Sequence, residues 1–116
     1  MVIAVDFDGT LFENEYPKIG KPKLDVIKWC IKQKEAGHKL TLWTCREDEM
    51  LLQAITACAS YGLIFDHINS NDPDRMKLWN NDCRKIGADI YLDDKVFRPD
   101  ELEKAETYLE EHNYNV

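Results

Sequence analysis

Short β-branched runs alternate along this chain with stretches whose apolar residues recur at helical spacing. Val2-Ile3-Ala4-Val5 opens an apolar segment, residues 2–7, that ends in a turn signal and reads as a buried strand. Residues 13–23 hold Pro17, Gly20 and Pro22 among polar side chains and read as a loop. Leu24, Ile27 and Ile31 then mark a helix over 24–36, closed by Gly37. A second strand over 39–44 carries Leu40, Leu42 and Trp43, and a second helix over 48–61 is closed by Gly62. Further on, the pattern predicts a short strand at 65–69 and a helix around 73–83. A strand at 88–92 follows, and a last helix over 99–112 has Pro99 in its first turn. Strands separated by helices imply right-handed βαβ units and a parallel sheet. The fold class expected is α/β: a doubly wound, Rossmann-like three-layer sandwich around a central, mostly parallel sheet, forming one domain over residues 1–116.

The strand ends carry the candidate chemistry. Directly after the first strand stand Asp6, Asp8, Gly9 and Thr10, two acids, a glycine and a hydroxyl within five residues. Ligands of open α/β sheets bind beyond the carboxyl ends of the strands. Two carboxylates about 4 Å apart repel by roughly 4 kcal/mol at an effective dielectric near 20. A divalent cation is the simplest offset, and Asp93-Asp94, at the end of the 88–92 strand, offers a second acidic pair to complete the cage.

Composition narrows the setting. At 116 residues the chain has the length of one core, with 44% hydrophobic and 32% charged residues. No apolar run approaches the roughly 18 residues needed to span a bilayer, and the N-terminus lacks a signal peptide's basic and apolar regions. A cytoplasmic protein is expected. The net charge of −7 argues against general nucleic-acid binding, though not against local recognition of a phosphorylated end. Cys30, Cys45, Cys58 and Cys83 lack zinc spacing and are expected as reduced, mostly buried thiols. His38, His67 and His112 show no metal-ligand spacing either, and Trp29, Trp43 and Trp79 read as packing residues.

Asp6-Phe7-Asp8-Gly9-Thr10-Leu11 resembles the first motif of the haloacid dehalogenase superfamily, most of whose members are magnesium-dependent phosphatases. Leu40-Thr41-Leu42-Trp43-Thr44 resembles its second motif, Lys85 the basic third, and Ile90-Tyr91-Leu92-Asp93-Asp94 the acidic fourth. The polar stretch 13–22 and Gly37-His38-Lys39-Leu40 are also similar to a small bacterial and phage branch without caps. Lys85 is preferred to Lys77 as the third-motif residue, because its spacing to Asp93 resembles that branch, although Ile86 stands where the branch often has proline.

The resemblance implies a phosphatase working through an aspartyl-phosphate. Asp6 would be the nucleophile, Asp8 the general acid and base, and Lys85 the charge balance. Asp6, Asp93 and Asp94 would hold Mg²⁺, with Asp94 direct or through water and Asp8 through its backbone carbonyl. Thr44 would give its hydroxyl and backbone N–H to phosphoryl oxygens, and Gly9 and Thr10 would bind the phosphate with it. Arg46 reads equally as a phosphate clamp or a surface salt bridge. Calcium-loop and catalytic-thiol readings fail, since the EF-hand pattern is incomplete and Cys45 has no neighbouring histidine.

No cap fits between the motifs, so the site is expected to be open, for a large phosphorylated substrate or for cover by another subunit of a homo-oligomer. Glu13, Tyr16 and Lys18 are then candidate substrate contacts. Two rival readings are a polynucleotide end phosphatase and a metal- or phosphate-binding module that does not turn over.

Overall fold

Val2–Val5 form β1, buried along its whole length, as an unbroken apolar run between two sheet neighbours should be. The computed structural model describes residues 1–112. β1 pairs in parallel with β4 (Lys39–Leu42) on one side and β6 (Ile90–Leu92) on the other, and β5 (His67–Ile68) extends the sheet beyond β4. The order β5-β4-β1-β6 is that of a parallel α/β sheet flanked by helices. Successive strands step outward from β1 to β5, and the chain then returns to the opposite edge of β1. Such a reversal opens a crevice at the strand ends, here between Asp6 and the pair Asp93-Asp94.

Two helices cover one face of the sheet. α1 (Leu24–Glu35) contributes Ile27 and Cys30, and α2 (Asp48–Ser60) contributes Ala54 and Cys58, in each case residues three or four apart on one helical stripe. They close over Ile3, Val5, Phe7, Leu40 and Leu42 in a single core. Leu24, expected on that stripe, is instead exposed. Gly37 and Gly62 follow the helix ends with positive φ, as anticipated. The alternation of side chains along strands puts Ala4, Asp6, Thr41, Trp43, Tyr91 and Asp93 on the opposite face.

Residues 13–23 are not a loop. Phe12–Glu15 (β2) and Lys18–Pro22 (β3) pair as an antiparallel hairpin, turning through a cis Tyr16–Pro17 bond. Its Pro and Gly residues suit an edge ribbon with a bulge. Pro22 sits at the strand end, and Gly20 lies where a Cβ would strike the Glu13 carbonyl.

Other elements are shorter than the periodicity predicted. α3 (Pro73–Trp79) stops where Asn80 turns left-handed at φ 53°, well before residue 83. The last helix begins as a 3-10 turn at Pro99–Glu101 and continues as α4 (Leu102–Glu111) without burying a residue. All four cysteines are free, but only Cys30 and Cys58 are buried, and burial pushes their thiols up to about 11 and about 12. Among the described residues no helix is long and apolar enough to cross a membrane.

Candidate active site

The ends of β1 and β6 bring three carboxylates together. Asp6, Asp93 and Asp94 each offer an oxygen within 4.8 Å of the others. The Asp6 N–H donates to the Leu92 carbonyl at 2.9 Å, which extends the β1–β6 register past the strand and holds the two acidic stretches side by side. The Asp6 carboxyl is pushed up to about 7, first by burial and then by the charge of Asp93, with the charge of Asp94 and a hydrogen bond to it adding less. An all-oxygen donor set in which one acid resists ionisation is what a hard dication would relieve, so these residues fit Mg²⁺.

The raised carboxyl has a consequence for stability. Asp6 holds its proton in the folded state up to about pH 7 but releases it in the unfolded chain near 3.8. Its contribution to stability therefore falls as pH rises from about 4 to about 7. Metal-free wild-type protein should lose Tm relative to Asp6→Asn across that window, and Mg²⁺ should restore more Tm at pH 8 than at pH 5. Parallel melting curves of the two proteins across the window would contradict this.

Gly9 makes the crowding of the acids possible. Its φ is +85°, and a Cβ there would run into the Asp94 carboxylate. The Lys23 ammonium holds the Gly9 carbonyl at 2.8 Å, and the Gly9 N–H reaches the Phe12 carbonyl at 2.7 Å, so the turn is fastened from both sides. Thr10 is buried, with its hydroxyl 3.5 Å from Asp6 Oδ2, and thus faces the carboxylate cluster from within the turn. Gly9→Ala combines left-handed strain of about 1–2 kcal/mol with displacement of Asp94. It is expected to weaken Mg²⁺ binding about tenfold or more, read by calorimetric titration; wild-type affinity would show that Asp94 is not needed.

Arg46 is neither a phosphate clamp nor a surface ion pair. Its side chain is 1% exposed and grips both oxygens of Asp8, Nη2 to Oδ1 at 2.7 Å and Nε to Oδ2 at 2.8 Å. It also donates to the Pro17 and Lys18 carbonyls, and its guanidinium lies about 5 Å from the Phe7 and Tyr16 ring centres. The Asp8 bonds, despite the burial, hold the guanidinium above its usual range. Arg46 thus ties the hairpin to the loop after β1. Asp8 lies outside the carboxylate cluster, and both oxygens expected to shuttle a proton are already bonded.

Thr44 is also more engaged than expected. Its N–H donates to Asn69 Oδ1 at 2.8 Å rather than standing free for a phosphate, and its hydroxyl oxygen accepts from the Arg46 N–H at 3.1 Å. The hydroxyl proton remains available. Asn69, with φ 52°, is a site residue the sequence reading missed, though its place at the end of a strand was a usable signal. Lys95 is another: its N–H donates to Asp93 Oδ1 at 2.9 Å.

Two clefts meet at Asp6 and Asp93. One, of about 380 Å³, is lined by Asp8, Asn14, Tyr16, Thr44, Cys45, Asp94 and Lys95 as well. Of the hairpin residues proposed as contacts, Tyr16 reaches it and Glu13 and Lys18 do not. The other, of about 460 Å³, is walled by Trp43, Tyr91, Val96 and Phe97 and includes Lys85 and Arg98. Lys85, and not Lys77, shares a cleft with Asp6. Trp43, expected in packing, instead borders open space, whereas the Trp79 ring lies against Gly87, away from both clefts. The histidines serve local bonds, His38 to the N-terminus, His67 to Asp72 and His112 to Tyr108.

A solved structure of a conserved protein from Bacteroides thetaiotaomicron has 35% sequence identity to the chain and a TM-score of 0.75, covering 96% of this chain and 91% of that one. The chain belongs to the family of that protein. The likeness covers nearly the whole of both chains, so it applies to the fold as a whole and not to one segment of it. No family model matches the chain, and no curated protein matches it.

Proposed function

We propose that the protein is a magnesium-dependent phosphomonoester hydrolase that works through an aspartyl-phosphate at Asp6. The observation that carries this reading is the convergence of Asp6, Asp93 and Asp94 at the β1–β6 crevice, with Thr44 and Lys85 lining the clefts that meet there. The motif resemblance to the haloacid dehalogenase superfamily, carried by the same residues, agrees with it.

Asp6, Asp93 and Asp94 would hold the ion, and the resemblance implies that the Asp8 backbone carbonyl joins them. Bound Mg²⁺ would offset the repulsion among the carboxylates, keep Asp6 ionised at neutral pH and screen the phosphoryl charge from it. An Asp6 carboxylate oxygen attacks phosphorus, the bond from phosphorus to the ester oxygen breaks, and that oxygen takes a proton from Asp8, once freed and protonated, or from water to leave as the alcohol. Water then attacks the acyl phosphate, releasing phosphate and freeing Asp6. The Thr44 hydroxyl donates to a phosphoryl oxygen, and Lys85 balances the charge of nucleophile and phosphate. Asp8 can move the proton only after one of its oxygens leaves the Arg46 grip; while both are bonded it positions the turn.

Phosphate release from a broad panel of phosphomonoesters, with and without Mg²⁺, tests the reading. Turnover that requires the metal supports it. Failure of every ester, polymer ends included, would favour a binding module instead.

A further inference from the structure

We infer that the phosphomonoester this site accepts is a nucleoside monophosphate, with its base in the cleft between Trp43, Tyr91 and Phe97. The inference rests on the hydrolase reading and names the substrate for it. At about 460 Å³ the cleft falls within the range of small-molecule sites. It shares Asp6 and Asp93 with the carboxylate cluster, so a ligand whose phosphate sits at Asp6 has this space for the remainder of the molecule.

The walls select for a flat group. Trp43 and Tyr91 lie on the same sheet face as Asp6, their ring centres 5.8 Å apart and tilted by 49°. Ala4, beside them on that face, also lines the cleft and leaves room where a larger side chain would fill it. The Tyr91 hydroxyl donates to the Ile86 carbonyl at 2.6 Å, which fixes the ring in place. Phe97 and Val96 form the outer wall, and both are exposed. A base stacked on such rings gains affinity without needing a particular hydrogen-bond pattern.

The cations select for an anion of limited length. Lys85 Nζ stands 5.8 Å from the centre of the Tyr91 ring, and Arg98 lines the same cleft. Two local cations suit a phosphate dianion, whereas a net charge of −7 over the whole chain repels a long polyanion. A mononucleotide fits both conditions.

The test uses Asp6→Asn, which keeps the size of the side chain and needs no turnover for a readout. Calorimetric titration with Mg²⁺ present compares adenosine 5′-monophosphate and uridine 5′-monophosphate with ribose 5-phosphate, the same ester without a base. Both nucleotides are expected to bind about tenfold more tightly or better. The ratio should collapse towards one in Trp43→Leu and in Phe97→Leu, and Trp43→Phe should recover part of it. Equal affinities, or binding of neither class, overturn the inference. A 5′-phosphorylated oligonucleotide that binds more tightly than either mononucleotide overturns it too, in favour of a polymer end. Metal-dependent hydrolysis by wild type on the ester panel is scored separately, so the inference can fail while the hydrolase reading stands.

Discussion

Arg46→Ala is expected to lower stability by about 3–5 kcal/mol, the range for breaking a buried ion pair by removing one partner. For a chain of this length that corresponds to a fall in Tm of more than about 10 °C. The substitution strips Asp8 of both charge-assisted bonds and frees the Pro17 and Lys18 carbonyls. It also leaves a void between the Phe7 and Tyr16 rings. Most of the cost comes from the orphaned carboxylate, so the double variant Arg46→Met, Asp8→Asn should be more stable than Arg46→Met alone. Thermal melts of the three variants decide the matter. A loss below about 1 kcal/mol for Arg46→Ala would put the residue back among ordinary surface pairs.

Asp6→Asn is expected to reduce metal-dependent phosphate release by at least about 10³-fold, since loss of a nucleophile removes the step itself and not merely an aid to it. The same change removes one oxygen anion from the cluster and relieves the repulsion that raises Asp6 to about 7. The variant should therefore be at least as stable as wild type at neutral pH without metal while being inactive with it. That combination separates a catalytic role from a structural one. A folded variant that retains most of its activity would remove Asp6 from the reaction, and a variant less stable than wild type at neutral pH without metal would contradict the repulsion in the cluster.

The fold was legible in the sequence wherever one physical signal acted alone. β1 is a β-branched run, and α1 and α2 combine a helical stripe with a glycine stop, so their positions followed directly. The hairpin was hidden because Pro17, Gly20 and Pro22 signal a loop unless the strands are known to lie at an edge, with a bulge that lets the backbones touch. Of the site, the acids could be read because the ends of neighbouring parallel strands must converge. Arg46 could not be read correctly, since its partner Asp8 lies 38 residues away and nothing local marks the pair. Thr44 shows the same limit: its backbone N–H is taken by Asn69, 25 residues on. Trp43 was assigned to packing because hydrophobicity predicts burial only on a covered sheet face, and that face is open beside Asp6.

If Asp6 becomes phosphorylated during turnover, the acyl phosphate can be trapped. Wild-type protein reacting with a good phosphomonoester in Mg²⁺ would be acid-quenched and treated with borohydride, which reduces an acyl phosphate to an alcohol. Peptide mass spectrometry then locates the modified residue. Modification is expected at Asp6, absent without metal and absent in Asp6→Asn. Modification at Asp8 or elsewhere, or sustained phosphate release with no modified residue, would contradict it.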